Sequence, residues 1–191
     1  MVFNRLFLGF FLGILACQAY SAEISGIKVE DKERLSNSEL TLNGAGLRKR
    51  AFFQIYVIGL YLPEKKTVAA DAIGVAGPKR VVFHMMRDVE ADQFGAALTD
   101  GMKDNVPEAE MKALEPRLKQ LLSTMLTMKE AKKGMRITLD WTPAGTVVTI
   151  DGKAAGQPIA GEDFYRALLK IWLGEKPVQA DLKGALLGEK Q

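Results

Sequence analysis

The chain has 191 residues, of which 48% are apolar and 26% charged, with 26 Lys+Arg against 23 Asp+Glu. This balance fits one folded domain and excludes a disordered chain or a multispan membrane protein. A net charge of +3 without a long Lys/Arg run argues against a nucleic-acid partner, and one His with one Cys excludes an internal disulfide and most zinc sites, so neither metal nor cofactor is expected.

The first segment, residues 1–22, has the layout of a secretory signal peptide. Arg5 supplies the positive start, Leu6 to Ala16 is apolar, and small and polar residues run from Cys17 to Ala22. The apolar run is too short to span a bilayer comfortably. Four of the nine Phe (Phe3, Phe7, Phe10, Phe11) fall here and do not count toward a core. A second reading takes Ile14-Leu15-Ala16-Cys17 as a lipoprotein box, in which lipidation of Cys17 would hold the chain beside a membrane. Residues 23–191 then form the domain. At about 170 residues it is long enough to bury one sizeable core.

Ile24 to Val29 alternates weakly and predicts a strand. Glu39 to Asn43 alternates clearly, and Gly44-Ala45-Gly46 interrupts it as a turn. Arg50 to Leu62 is rich in aromatic and β-branched residues and predicts a strand, which Pro63 ends. Thr67 to Ile73 suits a short helix, and Lys79 to Arg87 another strand. Apolar spacings of three and four then predict helices over Ala91–Met102 and Glu108–Met128. Pro107 and Pro116 each suit a first helical turn, so about three helices are expected there. Arg136–Trp141 and Thr146–Ile150 read as a hairpin, and Asp151-Gly152 is a tight turn into one more strand. Asp163–Leu173 and Ala180–Leu187 read as helices, closed by Gly174 and Gly188. Strands, then helices, then a hairpin and helices predict an α+β domain: an antiparallel sheet with helices on one face.

Few motifs carry chemistry. Gly44-Ala45-Gly46 has Lys49 where a dinucleotide fingerprint needs its third glycine. Asp88-Val89-Glu90-Ala91-Asp92 starts like a calcium loop but has Gln93 and Thr99 at the positions that need Gly and Glu. Asp88 reads instead as a cap for the following helix. His84, among apolar strand neighbours, reads as structural before catalytic. What remains is Arg48 at the mouth of the most apolar strand, close to Phe52, Phe53, Tyr56 and Tyr61. A guanidinium at the edge of an apolar cleft suits a carboxylate or an enolate. A solvated strand-end charge is the plainer alternative.

Leu42-Asn-Gly-Ala-Gly-Leu-Arg48, followed by Tyr56-Val-Ile-Gly-Leu-Tyr-Leu62, resembles the chalcone isomerase family, in particular its exported bacterial chalcone isomerase-like branch. Arg87-Asp88-Val89 leading to Gln93-Phe94, Ala97 to Met102, Gly161 to Tyr165, Ile171 to Gly174 and the coda from Pro177 to Gly188 extend the match over nearly the whole domain. The resemblance implies an open-faced β-sandwich with a ligand cleft between sheet and helices, and a periplasmic location. In the plant enzymes an Arg, a strand hydroxyl, a helix Tyr and an Asn serve ring closure. Carried over, these positions fall on Arg48, Tyr56, Phe94 and Gly101. Arg50 is the alternative to Arg48 within the tight hairpin. Phe94 has no hydroxyl and Gly101 no side chain, and each missing oxyanion donor costs about 3 kcal/mol.

No catalytic residue is therefore assigned; the Arg48-plus-Tyr56 combination is instead similar to the family's non-catalytic, fatty-acid-binding members, which implies binding of a fatty acid or similar amphipathic carboxylate without catalysis. The expected ligand-binding residues are Arg48, Tyr56, Phe94, Gly101 and His84. The alternatives are an isomerase- or lyase-type enzyme on a non-chalcone substrate, with His84 or Tyr56 as acid/base, and an envelope partner-binding protein without a small ligand.

Overall fold

A computed structural model describes residues 21–189. Residues 1–20, with most of the expected leader and Cys17, lie outside the described residues. The chain opens with β1 (Ser21–Ile24) and β2 (Ile27–Glu30), paired antiparallel. The single strand expected over Ile24–Val29 is thus a hairpin. Ser25 (φ 50°) and Gly26 (φ 81°) both turn left-handed, which matches the twist of a tight two-residue loop.

The strands β3 (Lys32–Leu35), β4 (Ser38–Arg50) and β5 (Phe53–Leu62) follow, then helix α1 (Ala69–Gly74) and strand β6 (Lys79–Met85). The short β7 (Val89–Glu90) leads into α2 (Ala91–Asn105) and α3 (Glu108–Leu126), and pairs with β8 (Glu130–Ala131). A meander of β9 (Arg136–Thr142), β10 (Gly145–Ile150) and β11 (Lys153–Ile159) precedes α4 (Glu162–Leu173) and α5 (Ala180–Leu186). Seven strands make one antiparallel sheet in the order β11-β10-β9-β6-β5-β4-β3. The expected α+β class is the observed one.

Alternation along the central strands separates two faces. Tyr56, Ile58, Leu60, Val81, Phe83, Met85, Ile137 and Leu139 face the helices and join their buried sides in the main core. On the reverse face Leu40, Leu47, Val57, Tyr61 and Val82 form a second cluster with Val29 of the N-terminal hairpin. Further along that face the surface turns polar. Arg80 bridges Asp140 (2.7 Å) and Glu33 (2.8 Å), and Arg136 meets Glu33 at 2.7 Å.

Three further local expectations change. Pro116 lies inside α3 and does not open a third helix. It is exposed, so the backbone bond it forfeits is on the water side, while Leu114, Leu118 and Leu121 bury the other side of the helix. Asp88 does not cap α2; its carboxylate accepts the Lys133 backbone N–H at 2.7 Å, and Glu90 is the N-cap residue.

Gly44-Ala45-Gly46 is not a turn. β4 runs through it, with a register shift between Leu42 and Gly44. At the shift Asn43 is buried and donates to the Leu186 (2.7 Å) and Lys66 (2.9 Å) carbonyls. Gly44 is needed for proximity, because a Cβ there would stand 2.1 Å from the Ala185 carbonyl oxygen. Gly44→Ala is expected to cost about 3 kcal/mol, the upper part of the overpacking range, by lifting α5 off β4. Denaturant midpoints measure this, and a loss below about 1 kcal/mol would show that α5 does not rest on the strand.

Candidate ligand cleft

β4 and β5 form the hairpin that carries the site. Their register places Arg48 directly opposite Tyr56. Cross-strand partners project from the same face, so both point to the helix side. Arg50 pairs with Phe53 at the hairpin end and is exposed, so Arg48 is the residue beside the tyrosine.

Tyr56 is 6% exposed, and its hydroxyl oxygen accepts the Trp172 indole N–H from α4 at 3.1 Å. Burial raises its pKa, only partly offset by the indole N–H and the nearby Arg48 charge. The phenol stays neutral at ordinary pH. Among the described residues no side chain or carbonyl accepts its proton, which remains to be donated.

Arg48 is half-buried. Its Nη1 donates to the Lys49 carbonyl and to Gln179 Oε1 at 3.2 Å. The guanidinium also acts on the Tyr56 hydroxyl, through its charge and a hydrogen-bond contribution, and a planar guanidinium beside a phenol suits a carboxylate. Gln179 also fixes the strand itself. Its Oε1 accepts the Lys49 N–H at 2.8 Å and its Nε2 donates to the Leu47 carbonyl at 3.0 Å.

An open cleft of about 990 Å³ lies over this pair. Phe94, Ala97, Leu98, Ile171, Trp172 and Val178 are among its apolar lining residues. That volume is at the upper end of the range of about 300–1,000 Å³ usual for small-molecule pockets. The rim carries both signs: Arg50, Arg87 and Lys176 with Asp88, Asp100 and Asp104.

Phe94 lines the cleft and packs edge-on to Tyr56 (6.2 Å between centroids) and Phe83 (5.7 Å). Gly101 also lines it, but its lack of a side chain has a packing cause. A Cβ would stand 2.7 Å from Ile171 Cγ2, so Gly101 is where α4 crosses α2. His84 is not in the cleft. It pairs with Val57 and Arg136, on the reverse face of the sheet. Its pKa is lowered, first by burial and then by the Arg136 guanidinium, with Glu33 opposing. The structure therefore unites Arg48, Tyr56, Phe94 and Gly101 and separates His84 from them.

Two site residues escaped the sequence reading, Trp172 and Gln179. A Trp on the apolar face of a helix was a signal, because a buried indole N–H needs an acceptor. No sequence signal marked Gln179, which acts from the residue before α5.

The profile of the chalcone isomerase-like family matches residues 21–188. The chain belongs to the chalcone isomerase-like family. No curated protein sequence matches it. Among solved structures, a fatty-acid binding protein of Arabidopsis thaliana is similar at a TM-score of 0.67 and 15% identity, over 88% of this chain and 96% of that one. At that identity the likeness shows the fold, which agrees with the sheet and helix layer described above.

The reverse-face histidine gives a prediction. The folded state resists protonating His84, whereas the unfolded chain takes up the proton near the ordinary value of 6.5. Its stabilising contribution is thus complete above that pH and is lost as pH falls through it. Relative to His84→Gln, the wild-type urea midpoint should drop between pH 7.5 and 5.5. Parallel profiles for the two proteins would show that His84 does not resist protonation.

Proposed function

We propose that this protein is an exported, non-catalytic binding protein that holds a fatty acid or similar amphipathic carboxylate. The observation that carries this reading is the pairing of the Arg48 guanidinium and the Tyr56 O–H on one face above an apolar cleft. Two donors converge at one end, and hydrocarbon-compatible surface continues from them. The structurally similar Arabidopsis protein, described as a fatty-acid binding protein, supports the same ligand class. The leader-like residues 1–22 support export to the periplasm, with lipidation of Cys17 as the anchored alternative.

Two features support binding without catalysis. Phe94 supplies no hydroxyl, and Gly101 is held without a side chain by its contact with Ile171. An enzyme acting in this cleft would have Tyr56 as its acid/base, since His84 faces the other way.

A long-chain acid at a concentration of 100 Kd should raise stability by about 2.7 kcal/mol. Absence of any thermal shift with acids from eight to eighteen carbons would defeat the reading. Arg48→Ala should weaken binding by about 1.5–3 kcal/mol, the worth of a charged hydrogen bond, and leave stability nearly unchanged, because Gln179 keeps its two backbone bonds. If Arg50→Ala abolished binding instead, the carboxylate would sit at the hairpin end.

Phe94→Tyr tests the catalytic side. The added oxygen enters an aromatic cluster and should cost about 1–2 kcal/mol of stability. Chalcone cyclisation should stay at background. Measurable turnover in this variant would return the cleft to the enzymes.

A further inference from the structure

The hairpin between β4 and β5 ends in two aromatic residues that the core does not use. Phe52 is 99% exposed and Phe53 is 57% exposed. Ala51, at φ 52°, makes the turn that sets them at the tip. Lys49 and Arg50 flank them, and the Arg87 guanidinium lies 4.3 Å from the Phe53 ring centre.

The same end of the sheet gathers more positive charge. The Lys132-Lys133 turn sits beside the end of β6, through the Gly134 N–H to the Met85 carbonyl at 2.8 Å. Lys153 begins β11 at that end, where the Asp151 N–H reaches the Arg136 carbonyl. The nearby carboxylates of Asp88 and Asp151 are turned to backbone N–H groups of Lys133 and Arg136. An exposed aromatic tip flanked by Lys49, Arg50 and Arg87, with further lysines along the same sheet end, complements one surface in particular: an apolar layer beneath anionic headgroups.

We propose that this hairpin tip docks the protein on an anionic lipid surface, with Phe52 entering the boundary between headgroups and acyl chains and the surrounding cations contacting the headgroups. Contact is peripheral, since no helix among the described residues is long and apolar enough to cross a membrane. Arg50, Ala51 and Phe53 also line the cleft, so docking turns its mouth toward the bilayer. The docking step needs no ligand in the cleft and stands apart from the carboxylate reading.

Phe52→Trp in the full chain provides a reporter at the tip itself. Its emission, taken as the difference from the wild-type chain, should shift to the blue with phosphatidylglycerol-containing vesicles and be quenched by acyl chains brominated near the headgroup. Pure phosphatidylcholine vesicles should give little shift. In the reporter background, Lys49→Glu should weaken partitioning by about fivefold or more, since one basic residue near an anionic surface is worth a factor of that size. In vesicle sedimentation, Phe52→Ser should lower anionic-vesicle affinity about tenfold. Acid binding without vesicles, measured in parallel, should not change in Phe52→Ser. An equal shift with neutral vesicles would overturn the proposal. So would a shift that depends on protein concentration without lipid, which would make the tip a contact between copies. A reporter silent toward all vesicles, with acid binding intact, would overturn docking and leave the carboxylate reading standing.

Discussion

The hydrogen bond from the Trp172 indole to the Tyr56 hydroxyl joins the sheet to α4, and the cleft depends on it. A buried phenol oxygen without a partner costs about 1–3 kcal/mol, and so does a buried indole N–H. Each removes the other's penalty. The direction of the bond matters as much as its existence. Because the indole can only donate, the phenol oxygen accepts, and its proton is left for another acceptor. A Phe at position 172 would leave that oxygen without its donor and remove what fixes the hydroxyl beside Arg48. Around the bond, Phe83 stands between Tyr56 (5.2 Å) and Trp172 (5.5 Å), and Phe94 closes the group from α2. The rings fill the space below the cleft and hold its floor.

That arrangement needs helices unusually near their neighbours, and glycine provides it twice. Gly101 lets Ile171 of α4 approach α2, and the next residue of α4 is the tryptophan. Gly44 lets the Ala185–Leu186 backbone of α5 approach β4, which brings Gln179 within reach of the strand and of Arg48. The two absent side chains therefore act on the site indirectly, by setting where Trp172 and Gln179 can stand. Neither glycine has a left-handed backbone; the requirement is space.

Local patterns made most elements legible. The aromatic and β-branched run of β5, the 3.6-residue period of α2, α3 and α4, and the Asp151-Gly152 turn all correspond to what their residues predict. Failures came where a distant partner decided the outcome. Gly44-Ala45-Gly46 looks like a turn until α5 is known to press on it, and Pro116 looks like a helix start until its exposure is known. Ser25-Gly26 was a local signal that was missed. Within the site, Arg48 stood out as a charge at the mouth of an apolar strand, and Tyr56 through the family resemblance. Gln179 did not, because only the tertiary contact of α5 with β4 gives it a role. His84 was the opposite case. Strand alternation counted from Tyr56 across to β6 assigns it to the far face, but that needs the register between the two strands, which sequence alone does not supply.

The charges around the cleft bear on which acids it can select. Arg48, Arg50, Arg87 and Lys176 face Asp88, Asp100 and Asp104 along the same lining. With the signs so nearly balanced inside the lining, the cleft itself does little to gather a free acid, and salt screens interactions beyond about 8–10 Å. Recognition of the carboxylate is then a contact event at Arg48 and Tyr56. A short acid has little to gain beyond these contacts, where a charge-assisted hydrogen bond is worth about 1.5–3 kcal/mol. Each methylene that reaches the wall formed by Leu98, Ile171 and Val178 adds up to about 0.8 kcal/mol. Affinity should therefore depend on the tail, and the guanidinium and phenol should decide which end of the molecule lies at the hairpin.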